Sequence, residues 1–159
     1  MKGKLNLGYA CICQTLSKNK IFTNRTMRRK TFDSKGLSYV SELSLQNVKD
    51  LKTIVQWNNK MNIKLFRLSS QIFPWSDEYN IKDLKDYDEI SKLMLEVGKI
   101  ALDGGQRLTM HPGPYNCLAS PTQKVVEKTI RELNFHSKQF DMMGYPPSQY
   151  NKINIHVGG

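Results

Sequence analysis

Two rhythms of apolar and polar positions alternate along the chain. The run Leu5-Asn6-Leu7-Gly8-Tyr9 predicts a short buried strand. Residues 14–43 show no sustained period and are polar and basic, centred on Asn24-Arg25-Thr26-Met27-Arg28-Arg29-Lys30. They read as a loop holding at most a short helix. A stretch this long without structure is unusual in a compact domain, so it is expected to be functional or ordered by a ligand. After Ser44, read as an N-cap, the positions Val48, Leu51, Ile54, Val55 and Met61 fall on one helical stripe. Residues 63–68 predict a second strand, and residues 69–85 a loop that includes Phe73-Pro74-Trp75.

The pattern then repeats. Tyr87, Ile90, Met94, Val97 and Ala101 mark one face of a second helix. Asp86, Asp88 and Glu89 complement the dipole at its start, and Asp103-Gly104-Gly105 ends it. Residues 107–111 predict a third strand, stopped by Pro112-Gly113-Pro114. Ser120-Pro121-Thr122-Gln123 has the form of a capping box. Val126, Ile130, Leu133 and Phe140 continue that third helix until Gly144-Tyr145-Pro146-Pro147 breaks it. Ile153-Asn154-Ile155-His156-Val157 predicts a fourth strand.

Strand–helix alternation of this kind predicts an α/β fold of parallel strands joined by crossover helices. It closes either as an open doubly wound sheet or as a (β/α)8 barrel. A full barrel takes about 250 residues, so four strands and three crossover helices amount to about half of one. The expectation is a single unit over residues 1–159: a partial TIM barrel, with a second chain or self-association completing it.

Charge changes the picture. Of the formal net charge of +10, residues 1–60 carry 12 Lys/Arg against 3 Asp/Glu, and the remainder 12 against 11. A one-sided positive field suits a polyanion such as nucleic acid; the plainer reading is a solvated basic loop. Two Trp, seven Tyr and six Phe argue against general disorder. No apolar run reaches the roughly 20 residues of a membrane span, and the start lacks a signal-peptide core. A soluble intracellular protein with no membrane association is expected. Cys11, Cys13 and Cys117 are an odd number without an obvious pairing, as in a reducing compartment.

Reactive side chains in parallel α/β folds gather at the carboxyl ends of the strands. The four strand ends here offer Tyr9, Arg67, His111 and His156. Two histidines so placed can share a metal ion, or can be two separately satisfied side chains. His136, inside the third helix, reads as a surface or half-buried histidine.

The segments Gly8-Tyr9, Asn24-Arg25-Thr26, Phe66-Arg67-Leu68-Ser69-Ser70, Phe73-Pro74-Trp75, Met110-His111-Pro112-Gly113-Pro114-Tyr115 and Ile155-His156-Val157-Gly158-Gly159 together resemble the UV damage endonucleases, in family order from Leu5 to Gly159. The resemblance implies a metal-dependent (β/α)8 barrel, similar to endonuclease IV, that nicks double-stranded DNA on the 5′ side of ultraviolet photoproducts. It implies that His111 and His156 bind a divalent cation (Mn, Zn or Mg) and that Tyr9 and Tyr115 wedge into the duplex. It places Asn24 and Arg25 in a loop near the DNA. Glu78 stands where the family offers a histidine ligand; a carboxylate there favours a harder cation. Pro114 stands in place of Gln, and Cys13 in place of Asn.

The chemistry behind these roles is general. Clustered divalent cations lower the pKa of an attacking water and neutralise the leaving oxyanion. Unstacking is cheapest at damaged bases, which itself gives selectivity. Arg28, Arg29 and Lys30 suit backbone phosphates, and Arg67 joins them as a DNA-facing cation. No catalytic acid or base is assigned. Two other readings stay open: a DNA-binding remnant or one half of a split enzyme, and a metal-dependent barrel of the sugar-isomerase kind, which the basic first third disfavours.

Overall fold

Three short strands run side by side in parallel: β1 (Gly8–Ala10), β2 (Leu65–Leu68) and β3 (Arg107–Met110), in the order β1-β2-β3. These come from a computed structural model that describes residues 6–155. In register, Tyr9 faces Phe66, and Leu68 faces Met110. Between and after the strands lie α1 (Gln14–Ser17), α2 (Arg29–Lys60), α3 (Tyr87–Asp103) and α4 (Gln123–Met142), with a 3-10 turn at Ile81–Asp83. Met110 also makes an isolated parallel bridge to Ile153, where the fourth strand is predicted. The rest of that prediction from His156 onward, like Leu5, lies outside the described residues.

One face of the sheet carries the core. Phe66 and Leu68 are fully buried while Leu65 and Arg67, on the alternate positions of β2, are half-buried. Leu108 and Met110 join the buried set, and Val48, Leu51, Ile54 and Val55 of α2 and Ile90, Met94, Val97 and Ala101 of α3 cover it. Each such side chain contributes about 1.5–3 kcal/mol by leaving water.

Helix α2 begins at Arg29, fifteen residues before the predicted Ser44 cap. Residues 29–35 and 37–60 are two helical pieces joined at Gly36 (φ 60°, ψ −159°), a conformation that glycine adopts without steric cost. The expected period failed before residue 44 because polar side chains occupy core-facing positions. Val40, Ser41, Ser44, Asn47 and Val48 are all buried at helical spacing. The Ser41 hydroxyl donates to Asp86 Oδ2 (2.8 Å) and accepts the Asp86 backbone N–H (3.0 Å). A buried serine that is satisfied in this way costs little.

Helix α3 has the predicted face and ends before Gly105 (φ 62°). A Cβ on Gly98 would lie 1.7 Å from the Met143 carbonyl oxygen, so the bare glycine lets the end of α4 press against α3. Helix α4 starts at Gln123 with Thr122 at the cap position. The predicted capping box does not form: the Ser120 hydroxyl accepts the Thr122 N–H at 3.2 Å, making a local serine turn instead. The buried face of α4 is Thr129, Phe135, His136, Gln139 and Phe140, whereas Ile130 is exposed. His136 is therefore a fully buried residue, not a surface or half-buried one. Partners on its own helix make that burial tolerable.

The three cysteines form no disulfide. Among the described residues no helix is long and apolar enough to cross a membrane.

Candidate functional site

The loops that leave the carboxyl ends of the three strands meet over a groove of about 450 Å3, lined by Met27, Gln71, Trp75, Asp77, Tyr115 and Glu132 among others. Parallel strands put all these loops at one end of the sheet, which is why residues distant in sequence meet there.

The first loop is held by its own cation. Arg25 donates to the carbonyls of Phe22 (2.6 Å) and Lys20 (2.7 Å) and pairs with Asp50 at 2.7 Å, its guanidinium lying 4.1 Å over the Phe22 ring. Asn47 of α2 accepts the Arg25 N–H and donates to the carbonyls of Arg25 and Ile72, tying the first loop to the second. Asn24 is half-buried. Arg28 and Lys30 are exposed and make no ion pair among the described residues. Arg29 between them is engaged by Asp33 and Glu78, both at 2.8 Å.

The second loop leans on the first. Trp75 adopts φ 58°, an uncommon value for a bulky residue. Its indole N–H donates to the Met27 carbonyl (3.1 Å) and its ring packs 5.6 Å from that of Phe32. Glu78 accepts from Arg29. On β2, Arg67 sits beside Ala10 and Thr109; its Nε is buried without a hydrogen-bond partner.

The third loop follows β3. The Nδ1 of half-buried His111 lies 2.7 Å from the Pro112 carbonyl. A proton on Nδ1 donates to that oxygen and leaves the lone pair on Nε2, the arrangement common to metal-bound imidazoles. Tyr115, at the tip, is 91% exposed. The turn between them is anchored by a carboxylate: Glu132 Oε1 accepts the Gly113 N–H at 2.9 Å, while Asn116 Nδ2 donates to the Gly113 carbonyl at 3.0 Å. Behind Glu132 stands His136, its Nε2 3.4 Å from Oε1, and Gln139 closes the chain at 3.1 Å from Nδ1. Burial alone would raise the Glu132 pKa; bonds from His136, Gly113 and Asn116 outweigh it and hold the carboxyl at about 2.

Tyr9 lies apart from this rim. Its ring is 4.9 Å from that of Phe66 and its hydroxyl donates to Asn58 Oδ1 of α2 at 2.7 Å. Burial raises the pKa of the phenol.

Among the described residues no three His, Cys, Asp or Glu side chains converge as a ligand set. Glu78 is engaged by Arg29, and His156 lies outside the described residues. His111 alone has ligand-like geometry, so the described residues do not compose a metal centre.

Sequence reasoning reached His111, Tyr115 and the basic loop, but not Asn47, Asn116, Glu132 or Gln139. The one available signal was the i, i+4 spacing of Glu132 and His136.

Comparison with known proteins adds the lineage. A UV-damage endonuclease of Schizosaccharomyces pombe is 38% identical over 162 residues, covering 96% of this chain and 26% of the relative. A provisionally named UV-damage endonuclease of Acanthamoeba polyphaga mimivirus is 38% identical over 157 residues, covering 98% and 47%. The crystal structure of SacUVDE superposes with a TM-score of 0.83 at 28% identity, covering 98% of this chain and 50% of that one. The chain thus spans between about a quarter and a half of the length of the proteins it matches. The family pattern described as UV-endonuclease UvdE matches residues 5–159, and this chain belongs to that family.

Proposed function

We propose that the chain forms the DNA-facing part of a DNA-repair endonuclease that hydrolyses the phosphodiester 5′ to an ultraviolet photoproduct. The observation that carries the reading is the meeting of three strand-end loops over one groove, with the 91%-exposed Tyr115 at its edge. Family membership supports the endonuclease class. Consecutive parallel neighbours β1-β2-β3 and the bridge to Ile153 support a partial (β/α)8 barrel.

Each group then has a task. Arg28 and Lys30 meet backbone phosphates, since their charges are not consumed by ion pairs among the described residues. Arg25 and Asn47 shape the loop that presents them. Tyr115 enters the duplex where stacking is already weak. Pro114 beside it has no donor, so discrimination at this point rests on shape and stacking. Tyr9, on β1 and apart from that rim, is braced by Asn58 of α2. His111 contributes one imidazole to a divalent cation, Mn, Zn or Mg, whose other ligands lie outside the described residues, and Glu78 serves the Arg29 pair. Such a cation, when bound, supplies an acidic water and neutralises the leaving oxygen.

The test uses a duplex with one site-specific photoproduct and Mn²⁺, with the chain alone and with the remainder of a family barrel co-expressed. The expected result is a photoproduct-dependent nick on the 5′ side, removed by EDTA and by His111→Ala. Absence of a nick in both arms, or equal cleavage of the undamaged duplex, overturns the proposal.

A further inference from the structure

The turn that carries His111, Pro114 and Tyr115 contains two prolines and Gly113, and its tip stands in solvent. Pro112 is buried at its base, but the tip has little apolar cover: Tyr115 is 91% exposed, and Pro114 is exposed beside it. Within the turn Asn116 holds the Gly113 carbonyl, and the tie from the turn to α4 is the Gly113 amide, bound to Glu132 Oε1 at 2.9 Å. That carboxylate is itself fixed from behind. His136 is wholly buried and Gln139 is 1% exposed, and both stand on the same face of α4 one turn apart.

The hydrogen bonds define which proton goes where. Glu132 is acceptor-only, so His136 Nε2 faces it as the donor. The ring's Nδ1 then accepts from the Gln139 amide at 3.1 Å. A line of three side chains, Gln139 to His136 to Glu132, thus ends on a backbone N–H two residues beyond His111. The same carboxylate lines the groove of about 450 Å3. An ionised acceptor gives a shorter, stronger bond than a neutral one, which suits an anchor under a solvent-exposed turn.

We propose that Glu132, oriented by His136 and Gln139, is a positioning residue for the DNA-contacting turn at His111–Tyr115. It acts through the Gly113 amide, touching neither the reacting bond nor the photoproduct, and it sets where the Tyr115 ring stands relative to the groove. The inference rests on the DNA-binding reading of that groove only for its consequence; the anchoring itself is a property of the protein alone.

The experiment separates these two levels. Hydrogen exchange and the ¹⁵N–¹H shift of the Gly113 amide are recorded in the full chain, in Glu132→Ala and in Glu132→Gln. Glu132→Ala is expected to release Gly113 and speed its exchange by about tenfold or more, the scale of a lost bond to a charged acceptor. Glu132→Gln keeps an oxygen at the same reach and is expected to restore most of the protection. Imidazole ¹⁵N shifts are expected to show His136 protonated on Nε2. Binding to the photoproduct duplex is then compared in Glu132→Ala, Tyr115→Ala and the double variant. Loss of about tenfold in the first, with no further loss when it is added to Tyr115→Ala, marks action through the turn. Unchanged Gly113 exchange in Glu132→Ala overturns the anchor. Additive losses in the double variant overturn its role in placing Tyr115. If Gly113 is released but the unaltered chain binds no DNA, the functional reading of the groove fails while the anchor stands. If Glu132→Ala does not fold, the Gly113 shift in Glu132→Gln decides: an unmoved amide overturns the proposal.

Discussion

Acid should weaken this protein through one identifiable group. The Glu132 carboxyl is held at about 2 in the folded chain against an ordinary 4.5. A depressed folded pKa contributes stability that is fully present above about pH 4.5. That stability is lost progressively as pH falls towards 2, because the unfolded chain then takes up a proton that the folded one resists. At full value the gap corresponds to about 3 kcal/mol. The side chain is 16% exposed and solvent screens it at that edge, so we expect about 2 kcal/mol. Other carboxylates titrate in the same range, so the quantity to measure is a difference. Urea unfolding of the parent and of Glu132→Gln is followed from pH 7 to pH 2. At pH 7 the variant should be less stable by about 2 kcal/mol. The two curves should converge below pH 4.5 as the parent loses its charged anchor. Parallel curves across the whole range would refute the reasoning, because they would mean that the folded and unfolded states bind the Glu132 proton alike.

Other outcomes follow from single contacts. Gly98→Ala should lower stability by about 2–3 kcal/mol, read as a fall in thermal midpoint, because the new methyl meets the Met143 carbonyl. Arg28→Ala and Lys30→Ala should each weaken binding to any duplex and reduce the slope of log affinity against log salt by about one. Tyr115→Ala should leave stability within about 0.5 kcal/mol, since the ring is 91% exposed, yet lower the preference for photoproduct-containing over intact duplex.

How much of this was legible in the sequence depended on whether apolar residues marked the buried positions. Ile90, Met94, Val97 and Ala101 did so, and α3 was read with its correct face. The strands at residues 63–68 and 107–111 were found within two residues of their ends. The first half of α2 was hidden because Ser41, Ser44 and Asn47 point inward; Ser41 is satisfied by Asp86 and Asn47 by the Ile72 carbonyl, both from other parts of the chain. Helix α4 was found with Phe140 buried and Val126 and Leu133 half-buried as its face required, but Ile130 is exposed and the polar His136 and Gln139 face the core instead. Motif recognition reached His111 and Tyr115 at the rim. It did not reach the partners that hold the rim, because Glu132 and Asn47 act on backbone amides and carbonyls, and only the i, i+4 spacing of Glu132 and His136 hinted at one of them.

The joint at Gly36 divides α2 by purpose. Arg29 and Lys30 ride on the two turns before it, and the buried rows from Val40 onward belong to the helix after it. A Cβ at Gly36 would meet nothing within 4 Å, so the positive φ alone reserves the position for glycine. Substitutions at the cationic positions before the joint leave the helical run from Leu37 onward unbroken; Phe32 alone of that first piece reaches back to pack against the core and Trp75.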